Sequence, residues 1–163
     1  MQKIPISPMD TERFAPFGDL IDFERSPDFA INNGMCDRYH GLARSEVSGE
    51  EGHTIISLGR ARPYQIPLKL EMMERHPLGS QAFIPLAPIS FLVVVAPDTD
   101  GRPGKPLAFL TRPGQGINYH RNVWHAVLSP LKQQADFVIV DRGGNGENLQ
   151  EYFFSEPYEV VSG

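Results

Sequence analysis

Residues 89–97 read Ile89-Ser90-Phe91-Leu92-Val93-Val94-Val95-Ala96-Pro97 and hold the longest apolar run in the chain. A short run rich in β-branched side chains and closed by proline predicts a core strand buried on both faces. It is far below the roughly 20 residues that a membrane helix requires. Met1–Asp10 also lacks an apolar stretch of signal-peptide length, so a cytoplasmic protein is expected. Outward from this run, His53–Leu58, Tyr64–Met73, Gln81–Pro85, Leu107–Thr111, Gly116–Tyr119, Trp124–Leu128 and Phe137–Asp141 alternate in the manner of half-buried strands. The 15 glycines and 15 prolines are dispersed between these segments as turn signals. Many short strands with frequent turns predict an all-β sandwich or barrel, of which the jelly-roll barrel is one form.

Ser7-Pro8, Thr11-Glu12-Arg13-Phe14 and Gly18 together predict a capped N-terminal helix of about two to three turns. Asn32-Asn33-Gly34 is a strong turn signal, although the asparagine side chains could also donate to a small polar ligand. Pro97–Pro106 reads as a polar surface hairpin, expected to be mobile and to play no part in chemistry. No repeat, linker or low-complexity tract divides the chain, so residues 1–163 are expected to form one domain. With 15 Lys+Arg against 20 Asp+Glu and no basic run, neither nucleic acid nor an anionic membrane is an expected partner. The single cysteine, Cys36, excludes an intrachain disulfide and a cysteine metal knuckle; a small buried hydrophobe in a reducing compartment is its simplest role.

Chemistry-bearing residues cluster in two segments. In Glu74–Gln81, strand alternation puts Glu74 and His76 on one face with Arg75 pointing away. Pro77 and Gly79 then turn the chain, which lets Gln81 come back toward the same side. In Tyr119–His125 the two histidines would face opposite ways on an unbroken strand, but a turn at Arg121-Asn122 would let both point inward with Trp124 as a wall. Blander readings compete with these. A lone histidine in a β protein is more often a satisfied core or surface residue, as expected here for His40 and His53. Glu74-Arg75 could be a solvated pair and Gln81 an exposed amide. Arg38, Arg75, Arg121 and Arg142 suit structural ion pairs better than anion clamps, with one or two expected at the pocket. A phosphate-cradling glycine loop and a nucleophile elbow are absent, and Cys36 has no neighbouring base, which leaves proton transfer. An imidazole beside a carboxylate contributes typically about 10²–10⁴-fold as general acid or base. Glu74, His76 and a second imidazole also suit a divalent nickel, zinc or iron ion.

Five blocks carry a family resemblance: Ile31–Gly34, Asp37–His40, Glu74–Pro85, Asn118–His125 and Asp141–Gly144. In order, separation and identity they resemble the ureidoglycolate lyase family over nearly the whole chain. The resemblance implies a cupin-like jelly-roll barrel and a homodimer. It further implies cleavage of (S)-ureidoglycolate to glyoxylate and urea in allantoin and purine nitrogen catabolism, with nickel as the associated metal. On that basis His120 and His125 are expected to do the acid/base work with Glu74 orienting or sharing the proton. Replacing either histidine would then cost at least about a hundredfold in turnover. His76, Glu74, Gln81 and His125 form the expected metal set. Arg38 or Arg75 is expected to hold the substrate carboxylate, with Asn33, Gln81 and Trp124 as further substrate contacts. Metal cupins commonly offer His-x-His and a glutamate, whereas this chain offers Glu74, His76 and Gln81, and an amide oxygen is a weaker ligand. Two other readings remain at this stage: an amidohydrolase releasing ammonia and carbon dioxide from ureidoglycolate, and a non-catalytic cupin that binds a small acid.

Overall fold

A computed structural model describes residues 1–163. In chain order the elements are β1 (Gln2–Pro8), α1 (Thr11–Phe14), β2 (Gly18–Ile21), β3 (Phe29–Ile31), β4 (Cys36–Arg38), β5 (His53–Ala61), β6 (Leu68–Arg75), β7 (Gln81–Pro85) and β8 (Phe91–Ala96). There follow β9 (Asp98–Thr99), β10 (Arg102–Pro103), β11 (Leu107–Leu110), β12 (Gly116–Tyr119), β13 (Trp124–His125), β14 (Ser129–Pro130), β15 (Ala135–Gly143) and β16 (Gln150–Val161).

The apolar run is strand β8, and all six of its residues are buried. Both of its faces meet core because it stands between two layers. Strands β11, β1, β16, β6, β13 and β8 pair in that order, and β8 pairs back onto β11, so the ring closes into a barrel. Strand β1 runs parallel to both β11 and β16, and the other pairings in the ring are antiparallel, so the barrel is mixed. Leu92, Val94 and Ala96 fill its interior with Ile4, Leu70, Met73, Ala108, Trp124 and Val160. The alternate residues Phe91, Val93 and Val95 face the second layer, the antiparallel sheet β2-β12-β7-β15-β5. There they pack with Phe83, Ile117, Tyr119 and Phe137, each fully burying aromatic or aliphatic side chain contributing about 1.5–3 kcal/mol. This nearly all-β barrel architecture agrees with the expected cupin-like jelly roll, with only a very short helix.

Several expectations about individual elements need correction. The helix has four residues; its cap is Asp10, whose carboxylate accepts from the Arg13 amide at 2.8 Å. Ser7 and Pro8 belong instead to β1, paired to Phe109 and Leu110 of β11. Gly18 is not a helix stop. It begins β2 beside β12, where a Cβ would lie 2.2 Å from the Asn118 carbonyl oxygen, so only glycine permits that approach. Strand β16 was not foreseen. Pro157 interrupts its pattern, and its register on β6 shifts between Phe153 and Tyr158. Cys36 is exposed on β4 rather than buried. Asn32-Asn33-Gly34 makes the expected turn, with φ of 53°, 55° and 83°. The hairpin β9–β10 is tied to the barrel, where Asp98 accepts from Arg75 and from the Trp124 indole, each at 2.9 Å.

Candidate active site

Glu74, His76 and His125 come together where the barrel meets the second sheet. Glu74, near the end of β6, lies directly across from His125 on β13. Neighbouring Met73 and Trp124 point into the barrel, so alternation turns Glu74 and His125 toward the second sheet. His76 lies two residues beyond Glu74, and one ligand-type atom from each of Glu74, His76 and His125 falls within 4.8 Å of the others.

The hydrogen bonds of these imidazoles fix their tautomers. The Asn148 carbonyl receives a bond from His76 Nδ1 at 2.7 Å, and the Ala126 carbonyl one from His125 Nδ1 at 2.9 Å. A carbonyl only accepts, so Nδ1 carries a proton in both rings, and in His125, which burial keeps neutral, Nε2 presents a lone pair. Both Nε2 atoms are buried without a partner, and His76 Nε2 lies 3.9 Å from Glu74 Oε1. His125 is stacked on Tyr119, with 4.2 Å between centroids and 7° between planes. Burial drives its pKa down to about 3, opposed by the bond to Ala126 and reinforced by His76. Burial also raises the Glu74 carboxyl; His76 opposes that rise and Glu151 adds to it. The Tyr119 hydroxyl is pushed well above its ordinary value, mainly by burial and further by Glu74.

Two buried imidazole nitrogens without a partner, converging beside a desolvated carboxylate, have the chemistry of a divalent-metal site. An Nδ1–H bonded to a backbone carbonyl is the usual outer support of a ligating histidine. The donor set therefore fits a divalent ion. A pH dependence follows from the same burial. Between about pH 6.5 and 3 the unfolded chain protonates His125 and the folded protein does not, so His125 makes stability fall as the medium is acidified. Denaturant titrations of the metal-free protein at several pH values should show that slope flattened in His125→Gln. An unchanged slope would contradict the burial of a neutral ring.

The facing wall comes from the second sheet. Phe83 and Phe137 point into the space between the layers; two-residue alternation carries Gln81 on β7 and Asp141 on β15 to the same side. Gln81 Nε2 donates to Asp141 Oδ2 at 3.1 Å, and Gln81 is the cross-strand neighbour of Tyr119. Tyr119, Asp141 and Asn148 had not been singled out for the site. The first two were legible in principle as inward positions of their strands. Asn148 was not, since it acts through its backbone carbonyl and through an Oδ1 that accepts from the Leu78 amide at 2.8 Å.

Other expected residues stand elsewhere. Tyr119 faces the inner space, so the next residue, His120, emerges on the outer face. There its Nε2 lies 3.1 Å from Asp19 Oδ1, while Asn118 donates to the other Asp19 oxygen at 3.1 Å. The turn at Arg121-Asn122 exists, with Asn122 at φ 67°, but it carries the chain from one layer to the other and separates the two imidazoles. Trp124 and Arg75 occupy the opposite faces of β13 and β6 from His125 and Glu74. The Arg75 guanidinium lies 4.3 Å from the Trp124 ring, held by Asp98 and by Gln150 Oε1 at 2.7 Å. Asn33 and Arg38 lie on the exposed β3–β4 hairpin. Arg142 is buried and donates to the carbonyls of Ser48, Glu50 and Asn145, which ties two loops together.

The family model described as Ureidoglycolate lyase matches residues 1–161. The chain belongs to the ureidoglycolate lyase family. It is 56% identical over 160 residues to the ureidoglycolate lyase of Chelativorans sp. (strain BNC1), covering 98% of this chain and 97% of that one. It is 57% identical over 160 residues to ureidoglycolate lyase 2 of Rhizobium meliloti (strain 1021), covering 98% of both. With the ureidoglycolate lyase of Agrobacterium fabrum (strain C58 / ATCC 33970) it shares 49% over 158 residues, 97% of this chain and 95% of the relative. This member of the family therefore aligns end to end with relatives named for one activity, and the buried cluster lies within the matched region.

Proposed function

We propose that the chain cleaves (S)-ureidoglycolate to glyoxylate and urea, with the reacting carbon held beside Glu74, His76 and His125. The observation that carries this reading is the pair of unpartnered, buried imidazole Nε2 atoms converging on a carboxylate whose pKa is raised by desolvation. Ureidoglycolate bears a hydroxyl and a ureido nitrogen on one carbon. Its cleavage breaks the O–H bond, forms the aldehyde C=O, breaks the C–N bond with its electron pair passing to nitrogen, and delivers a proton to that nitrogen. One group can take the first proton and return it to the second site. Glu74 is suited to this, because a carboxylate that binds an ion through one oxygen keeps the other to take a proton. His125, neutral at any pH near 7, has no proton to give from Nε2 and serves as a lone-pair donor. His76 Nε2, buried without a partner, is the second nitrogen of the cluster. A divalent ion bound by these two nitrogens and Glu74, with nickel as our preferred identity, would supply Lewis acidity and a fixed template. Gln81 and Tyr119 line the opposite wall and exclude water from the reacting carbon.

The products test the reaction class. Glyoxylate appearing with urea, the latter detected only after urease is added, supports the lyase; ammonia without urease would replace it with the hydrolase. His120 lies outside this scheme, so His120→Asn is expected to lose less than about tenfold in kcat/KM. A hundredfold loss with unchanged folding would return the outer-face histidine to the mechanism.

We further propose a cytoplasmic homodimer. No helix is long and apolar enough to cross a membrane. Strand β5 lies at the edge of its sheet, with Ile56 76% and Leu58 75% exposed, an apolar edge that a second copy would cover. Ile56→Lys/Leu58→Lys should shift the sedimenting species from dimer to monomer; a wild-type monomer would overturn this assignment.

A further inference from the structure

One buried polar atom near the centre has no part in the scheme above. Asp141 Oδ1 is shielded from solvent and has no hydrogen-bond donor, while Oδ2 accepts from Gln81. Leaving a buried carboxylate oxygen without a donor is costly, and such groups call for a partner. The protein around it does not provide one. The neighbouring inward residues of its own strand, Ile139 and Phe137, are apolar. The adjacent Arg142 directs its Nε and Nη2 donors to loop carbonyls and makes no bond to Asp141. Gln81, having committed its amide N–H to Asp141, presents Oε1 as a further acceptor on the same wall.

Resting on the lyase reading, we propose that Asp141, with Gln81, is the subsite that receives the ureido N–H donors of the substrate. The two halves of ureidoglycolate differ in polarity. The ureido end carries the N–H groups, and a carboxylate can take two of them side by side, much as it takes a guanidinium. The hydroxy-acid end is rich in acceptor oxygens and matches the facing wall, where lone pairs converge on a cation site. The substrate then spans the space between the layers in one direction only, with the C–N bond over Glu74. A site built to bond N–H groups rejects analogues that lack them, because its own acceptor would remain unpaired. Asp141 is thus assigned to orientation and specificity.

The test compares products and analogues as inhibitors of ureidoglycolate cleavage. In the wild type, urea should compete with substrate, and tetramethylurea, which has no N–H, should be at least tenfold weaker. Asp141→Asn presents an NH₂ group toward the same donors. It should weaken urea inhibition and raise KM by about tenfold or more, while inhibition by glyoxylate changes less than about twofold. Equal inhibition by urea and tetramethylurea in the wild type overturns the subsite, and that measurement needs no variant. So does an Asp141→Asn enzyme that folds with unchanged KM and unchanged urea inhibition. A wild type that forms no glyoxylate and urea would instead fail the lyase reading and take this subsite with it.

Discussion

Glu74→Gln should lower kcat/KM for ureidoglycolate by at least about a hundredfold, equivalent to about 2.7 kcal/mol of transition-state stabilisation. The substitution keeps size and one acceptor oxygen but cannot take a proton. The loss should fall mainly on kcat, because the group is asked to act as the bond breaks. Stability should move the other way. Burial raises the Glu74 carboxyl above its unfolded value, so the folded protein holds that proton more tightly than the unfolded chain does. The stabilising contribution is present at acid pH and is lost as pH rises through the folded value, leaving an ionised, desolvated carboxylate as a net cost at neutrality. In the metal-free state Glu74→Gln should therefore melt no lower than the wild type at pH 7. Activity within tenfold of wild type would remove Glu74 from proton transfer.

His76→Ala and His125→Ala should each abolish tight binding of a divalent ion and lower turnover by at least about a hundredfold. A site of two imidazoles and one carboxylate leaves too few protein ligands when an imidazole is removed. Purification without an affinity tag, followed by elemental analysis, should find bound metal in the wild type and far less in either variant. Chelation should remove activity from the wild type, and added nickel should restore it there and not in the variants. The two substitutions should differ in stability. His125 is 2% exposed and stacked on Tyr119, so its truncation leaves a cavity in the interlayer core, whereas His76 sits at the margin. An enzyme fully active after exhaustive chelation would leave the imidazoles acting without an ion.

The layered β architecture was legible because its strongest determinants are local. A six-residue strand apolar on both faces demands core on both sides, and strands β7 and β12 coincide with the segments read from alternation alone. The shared face of Glu74 and His76 was likewise a matter of two-residue spacing. What failed depended on pairings that no local pattern encodes. Strand β1 is held parallel to β11 and β16, more than a hundred residues away, and its Ser-Pro end imitates a helix cap. His120 could not be separated from His125 by inspection, because the turn between them changes layers as well as direction. Tyr119 and Asp141 hold inward positions that strand alternation encodes, whereas Asn148 joins the site only through its backbone contact with His76.

A crystal structure of the protein with glyoxylate bound is the most direct test of where the chemistry occurs. The product should lie between the layers, within hydrogen-bond or coordination distance of the Glu74–His76–His125 cluster and on the side facing Tyr119. Glyoxylate bound instead on the outer face, against Asp19 and His120, would contradict this account.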